Sequence, residues 1–243
     1  MLKEQLQGKD GKPLKGLIIA SPSNPTGTII SPPDFKDICE FCSQNGVRMI
    51  SDEIYHGITI EGENACALSF NPHSIVINSF SKYFSMTGWR LGWVVCQDQD
   101  FNKRMEALLQ NLFISAPTLS QQAGIAAFDS DDELQAHVLR YKENAKILSR
   151  MLPQAGFNDI SRPQGAFYLY CNVEELIALW GVKDSMDLCK IILSQCAVAC
   201  TPGLDFDPAR GGKYIRFSYA GSSAHMEEAC LRLQDWYKAK TAA

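Results

Sequence analysis

Residues 17–55 read LIIASPSNPTGTIISPPDFKDICEFCSQNGVRMISDEIY, and their order of strand, turn, helix and strand decides the fold class. Leu17-Ile18-Ile19-Ala20 is an unbroken apolar run stopped by Ser21-Pro22, the pattern of a strand buried in a parallel sheet. Ser31 and Pro32 supply an N-cap and a first helical residue, with Asp34 three places after the cap. Phe35, Ile38, Cys39 and Cys42 then form one apolar stripe that Asn45-Gly46 ends. Val47 to Ser51 is the next strand; Ser74 to Ser79 and Leu91 to Cys96 add two more, all short and rich in Val, Ile or Trp. Strands alternating with helical crossovers pair side by side in one direction. The spacing therefore predicts an α/β fold built on a mostly parallel sheet with flanking helices.

Beyond Asp98 the apolar period lengthens to that of helices. Phe101, Met105, Leu108, Leu109 and Leu112 mark one helix, and Leu119 to Phe128, opened by Pro117-Thr118, a second. From Asp131 to Leu152, Leu134, Val138, Tyr141, Ala145, Leu148 and Leu152 repeat at three and four, behind three acidic residues placed where a helix dipole favours them. The remainder reads as strand Ala166 to Val173, helix Asp184 to Gln195, strand Ala197 to Thr201, strand Tyr214 to Tyr219 and helix Ser223 to Lys238. The pattern predicts a larger α/β domain over residues 1–135 and a smaller α+β domain over 136–243, linked by the helix near 131–152.

A length of 243 residues gives room for a core, and 46% hydrophobic against 21% charged residues excludes a disordered chain. The formal net charge is -4 and Lys and Arg are scattered, which speaks against nucleic acid or an anionic membrane as partner and for a small molecule. Nine irregularly spaced cysteines, no apolar run long enough to span a bilayer, and a start from Met1 to Gly16 without a secretory core predict a cytoplasmic protein.

In open α/β sheets ligands bind beyond the carboxyl ends of the strands. The first strand delivers Asn24-Pro25-Thr26-Gly27 there, the second Asp52-Glu53-Ile54-Tyr55, and the third Ser79-Phe80-Ser81-Lys82, followed by Thr87-Gly88-Trp89-Arg90. Singly these read as a capping aspartate, a turn asparagine and a solvated lysine. Jointly, an amine, a carboxylate and a guanidinium are what a cofactor carrying an aldehyde and a phosphate requires. Rival motifs fail their context. Ser79-x-x-Lys82 lacks the other elements of serine acyl-enzymes, and no phosphate-binding or dinucleotide glycine loop is present. Cys39-x-x-Cys42 falls on the helix's apolar stripe without a second ligand pair, so it reads as two small core residues. Glu53 alternates away from Asp52, and no catalytic carboxylate pair is assigned.

The segments Ser23-Asn24-Pro25-Thr26-Gly27, Ser51-Asp52-Glu53-Ile54-Tyr55, Ser79 through Gly92, and Ile215-Arg216-Phe217-Ser218 together resemble fold-type I pyridoxal-phosphate enzymes, and among them the class I/II aminotransferases. The resemblance implies that Lys82 forms the Schiff base with pyridoxal 5'-phosphate and then moves protons, that Asp52 pairs with the pyridine nitrogen, and that Tyr55 and Asn24 donate to the ring oxygen. It implies that Ser79, Ser81 and Arg90 hold the phosphate and that Arg216 takes the α-carboxylate of an amino acid, drawing the small domain over the site. Amino acid and 2-oxo acid substrates and a homodimer follow from the same likeness. So does a rival outcome, β-elimination by a carbon–sulfur lyase, because the same residues generate the same carbanion. Relatives also carry a long N-terminal segment with a phosphate loop and an aromatic plate. The expectation is thus the C-terminal portion of such an enzyme, with residues 1–135 as part of the cofactor-binding domain, apolar sheet surface left open, and an inert fragment as the remaining alternative.

Overall fold

The computed structural model describes residues 12–242, so residues 1–11 of the opening segment lie outside the described residues. The chain forms two compact units. The first takes the described residues up to Pro22, Ile29–Gly57 and Gly62–Leu134; the second takes Ser23–Thr28, Ile58–Glu61 and Gln135 onward.

In the first unit, strands β1 (Gly16–Ala20), β2 (Arg48–Asp52), β3 (Ile75–Ser79) and β4 (Gly92–Val95) form one sheet in the order β1-β2-β3-β4. The first three are parallel, as the crossover pattern requires; β4 runs antiparallel to β3. Ala20 stands opposite Asp52, Asp52 opposite Ile77, and Ile77 opposite Val94. The turned-back β4 has a positional consequence: Ser79 pairs with Gly92, so Arg90 sits at the same edge as the carboxyl ends of β1 to β3.

Helix α1 (Pro32–Gln44) starts where Ser31 Oγ accepts from Asp34 N, and its stripe of Phe35, Cys39 and Cys42 is buried with Val47, Met49, Ala67 and Val76 in one core cluster. Cys39 Sγ lies 3.5 Å from Met49 Sδ, so the Cys-x-x-Cys pair packs as apolar filler. The alternate sheet face is open: Ile18 is 74% exposed, and Ile77 and Val94 share that face with it through the register. Helices α2 (Gln99–Leu112) and α3 (Thr118–Ala127) follow; α2 buries no residue, and its Leu108 and Leu112 face solvent.

Helix α4 (Asp131–Met151) crosses from the first unit's chain into the second's within its first turn. The second unit has a sheet in the order β5-β6-β8-β7, all antiparallel, made of β5 (Asp159–Ile160), β6 (Tyr168–Asn172), β7 (Thr201–Pro202) and β8 (Tyr214–Ser218). Helices α5 (Glu174–Trp180), α6 (Ser185–Cys196) and α7 (Ser223–Thr241) belong to the same unit, whose buried residues include Leu169, Ile215, Leu176, Leu188, Ile192 and Leu233. Asp184 caps α6 by accepting from Met186 N and Asp187 N. The sequence places a strand over Ala197 to Thr201, and the structure shortens it to Thr201–Pro202. Ala197 adopts φ +53° and donates its N–H to Leu193 O, closing α6 with a left-handed cap that no extended strand can begin on. Helix α5, seven residues long, is too short to show a period in the sequence. Among the described residues no helix is long and apolar enough to cross a membrane.

Phe35 is 1% exposed at the centre of the first unit's core. Phe35→Ala is expected to lower stability by about 3–5 kcal/mol in urea unfolding, whereas Leu112→Ala, on an exposed position, stays within about 0.5 kcal/mol. Equal effects would show that this core is not what holds the sheet.

Candidate active site

The candidate residues fall into two constellations. In the first unit they arise because parallel β2 and β3 end at one edge. Asp52 is the last residue of β2, half-buried, and its Oδ1 accepts from Ile54 N at 3.1 Å, bending the chain into the turn that holds Tyr55. Tyr55 is 4% exposed. Lys82 follows β3, and its Nζ lies 5.8 Å from the centre of the Tyr55 ring, near enough for a cation–π attraction of about 0.5–1 kcal/mol.

The loop that carries Lys82 is held from both sides. Phe80 and Phe84 flank it and pack 4.8 Å apart by ring centres; Phe80 meets Trp93 at 5.0 Å, and both phenylalanines meet Phe128 at 5.3 Å. Its backbone is tied by Ser85 N to Lys82 O and Met86 N to Phe80 O. Gly57, at φ +91°, lies so close to the Tyr83 ring that a Cβ there would come 2.5 Å from it. A lysine on such a loop is presented rather than free to wander.

Next to it, Ser79 Oγ accepts from Ser81 N at 3.1 Å and lies 3.0 Å from Ser81 Oγ. Arg90 adopts φ +52° and donates from Nη1 to Thr87 O at 2.9 Å. Among the described residues neither Lys82 nor Arg90 is ion-paired. This group therefore offers an amine, two hydroxyls, a guanidinium and a carboxylate beyond one edge of the sheet.

In the second unit Arg216 sits in β8 opposite both Tyr170 of β6 and Thr201 of β7. Its guanidinium lies over the rings of Tyr168 (4.3 Å) and Phe206 (4.8 Å), donates from Nη1 to Asn24 Oδ1 at 2.7 Å and from Nη2 to Thr201 Oγ1 at 3.2 Å, while Nε is buried with no hydrogen-bond partner among the described residues. Each Nη keeps a second N–H, the spacing of a fork for a carboxylate. Because Asn24 accepts with its carbonyl oxygen, its amide nitrogen is left to donate. The segment bearing Asn24 is fixed to this unit: Gln164 N and Gly165 N both donate to Gly27 O at 2.9 Å, and Ser161 Oγ donates to Thr26 O at 2.8 Å. Gly27 has φ +67°, and a Cβ on it would fall 2.5 Å from Tyr168 O, so only glycine fits.

The structure thus gathers Asp52, Tyr55, Ser79, Ser81, Lys82 and Arg90 in the first unit and Asn24 with Arg216 in the second. Sequence reasoning missed Tyr168, Thr201 and Phe206 as the bed of Arg216. Thr201 was accessible through the pairing of β7 with β8, but that pairing has no local signal. It also left Glu53 without partners; the carboxylate is buried and accepts from Ser51 Oγ (3.1 Å) and Ala67 N (2.8 Å).

A family profile described as Aminotransferase class I and II matches residues 1–233. Valine–pyruvate aminotransferase of Mycobacterium tuberculosis is 38% identical over 236 residues, covering 96% of this chain and 59% of that protein. The (5-formylfuran-3-yl)methyl phosphate transaminase of Methanocaldococcus jannaschii is 35% identical, covering 97% of this chain and 60% of its own length. Among solved structures, an aminotransferase from Mycobacterium tuberculosis aligns with TM-score 0.88 at 38% identity over 93% of this chain and 58% of that one. The chain spans about 59% of the length of the curated relatives it matches.

Burial, reinforced by neighbouring Cys42 and Glu53, pushes the Cys39 thiol up to about 11. A thiol raised above its unfolded value of 9.0 leaves stability intact below pH 9 and lowers it as pH climbs from 9 to 11, because the unfolded chain loses its proton first. At pH 8, iodoacetamide followed by peptide mass spectrometry is expected to spare Cys39 in the folded protein and to label it in urea. Labelling of the folded protein at the same rate would overturn the buried packing.

Proposed function

Because the chain belongs to the class I and II aminotransferase family, we propose that it takes part in transferring an amino group between an L-amino acid and a 2-oxo acid, with pyridoxal 5'-phosphate as cofactor. The observation that carries this reading is the Lys82 amine held 5.8 Å from the Tyr55 ring, on the sheet edge where β2 ends in Asp52. The donor set fits the group: an amine for its aldehyde, a carboxylate for its ring nitrogen, and Ser79, Ser81 and Arg90 for its phosphate. Bound there, the cofactor supplies an aldehyde that condenses with amines and a ring that accepts electron density from the substrate's α carbon.

Asp52 keeps a proton on the ring nitrogen, since a carboxylate beside it favours the charged ring. Its own Oδ1 is oriented by Ile54 N, which fixes the side chain before any ligand arrives. Lys82 would hold the cofactor through its aldehyde, and its amine would take and return the proton at the substrate's α carbon. Tyr55 would donate to the ring oxygen, and the amide nitrogen of Asn24 is the hydrogen-bond donor that the second unit offers beside Arg216. Arg90 and the two serine hydroxyls neutralise and orient the phosphate. Arg216 receives the α-carboxylate end-on, its plane fixed by Tyr168, Phe206 and Thr201 so that little freedom is lost on binding. The unit that carries Asp52, Tyr55 and Lys82 would then serve cofactor binding, and the unit that carries Arg216 would take the substrate's carboxylate.

A second copy of the chain as partner is supported by the exposed Leu108 and Leu112 on α2. The buried free thiols support a reducing, cytoplasmic setting.

Reduction with borohydride after adding pyridoxal 5'-phosphate, followed by peptide mapping, is expected to label Lys82 and to fail with Lys82→Ala. Scattered labelling would sink the reading. Arg216→Lys loses the fork and is expected to lower kcat/KM about 10–100-fold, mainly through KM for the amino acid, a loss of charged hydrogen bonds worth about 1.5–3 kcal/mol. Release of pyruvate and ammonia in place of a pyridoxamine product would assign β-elimination instead.

A further inference from the structure

The β1–β2 ladder ends at its last bond, Ser21 N to Asp52 O at 3.4 Å, and the two strands part just where the Asp52–Tyr55 turn begins. One side chain closes the gap. His56 Nε2 lies 3.1 Å from Ser21 O, and its Nδ1 lies 3.2 Å from Glu53 Oε2. Glu53 is 2% exposed; its Oε1 already accepts from Ser51 Oγ and Ala67 N, and its own N–H donates to Ile77 O at 2.9 Å. His56 N returns to Glu53 O at 2.9 Å. The pair thus ties the end of β1, the end of β2, Ile77 of β3 and the short turn at Ala67–Ser69 into one knot.

The donors and acceptors limit what the knot can be. Ser21 O can only accept, so Nε2 is the donor there, and Nδ1 is the ring nitrogen left facing Glu53 Oε2. Such a contact in a buried place is directional and costly to break, because removing one partner strands the other. Asp52 immediately precedes Glu53, Tyr55 immediately precedes His56, and Gly57, which follows, packs against the Tyr83 ring next to Lys82.

We propose that His56 and Glu53 are positioning residues: a latch that holds the Asp52–Tyr55 turn in the shape that receives the cofactor ring. This rests on the pyridoxal-phosphate reading above for what the turn receives, but the latch itself acts on the chain alone. The two residues bond to each other and to the chain itself, at Ser21, Ser51, Ala67 and Ile77. The latch gives the carboxylate of Asp52 and the phenol of Tyr55 a fixed separation, which a ring recognised at two of its atoms needs.

Three substitutions at one position separate the two ends of the latch. His56→Ala removes both contacts, His56→Gln keeps a donor for Ser21 O, and His56→Asn keeps a donor for Glu53. Two readouts are taken on the full chain: hydrogen exchange of the amides of residues 53–57 without cofactor, and the dissociation constant of pyridoxal 5'-phosphate from fluorescence quenching. His56→Ala is expected to speed exchange at those amides at least tenfold and to weaken cofactor binding at least tenfold, with the Gln and Asn variants falling between it and the parent. KM for the amino acid, set at Arg216, stays within twofold. If His56→Ala does not fold, the Gln and Asn variants carry the test, with at least threefold weaker binding expected of each. Unchanged exchange in these variants overturns the latch. Changed exchange with cofactor binding within twofold of the parent overturns its positioning role. A parent chain that binds no pyridoxal 5'-phosphate sinks the functional reading, and the exchange measurement still judges the latch.

Discussion

Everything chemical in the first unit depends on the parallel pairing of β2 with β3. Parallel neighbours end at the same edge of a sheet, so Asp52 and Ser79 are brought alongside by hydrogen bonds made well away from them. Each strand then only has to turn. The β2 turn is shaped by Asp52 accepting from Ile54 N, and the β3 loop is clamped by Phe80, Phe84, Trp93 and Phe128. The antiparallel β4 contributes in the opposite sense: by running back, it starts rather than ends at that edge, and so supplies Arg90 from its leading loop. Three strands and one reversal put an amine, a carboxylate, hydroxyls and a guanidinium on one rim.

The second unit solves a different problem, holding a single guanidinium still. Arg216 is a long side chain with much rotamer freedom, and two aromatic faces plus the hydroxyl of Thr201 and the amide of Asn24 take that freedom away in advance. The segment Ser23–Thr28 reaches this unit because Gly27 tolerates both a left-handed backbone and the close approach of Tyr168 O. A motif that looks in the sequence like the tail of the first strand is, in its packing, part of another sheet's surroundings.

How far the sequence disclosed this follows from the range of each interaction. Helix α1 was legible because its cap and its apolar stripe are written within a dozen residues, and strands β1 to β3 because short Val- and Ile-rich runs between turn residues have few other homes. The candidate residues were legible through motifs that cluster at strand ends. The direction of β4 was not, since a strand of four residues carries no mark of its orientation. The strand placed over Ala197 to Thr201 failed for a local reason, the left-handed Ala197 cap of α6. The partners of Glu53 and His56 were not legible, because Ser21, Ser51 and Ala67 lie on three separate segments that only the folded sheet brings together.

A crystal structure of the full chain grown with pyridoxal 5'-phosphate tests the central claim most directly, that neighbouring strands deliver Asp52 and Lys82 to opposite ends of one flat ring. The account predicts density continuous from Lys82 Nζ to the cofactor's aldehyde carbon, with the ring nitrogen in hydrogen-bond contact with the Asp52 carboxylate. Cofactor joined to a different lysine, or joined to Lys82 with its ring nitrogen directed away from Asp52, would contradict it.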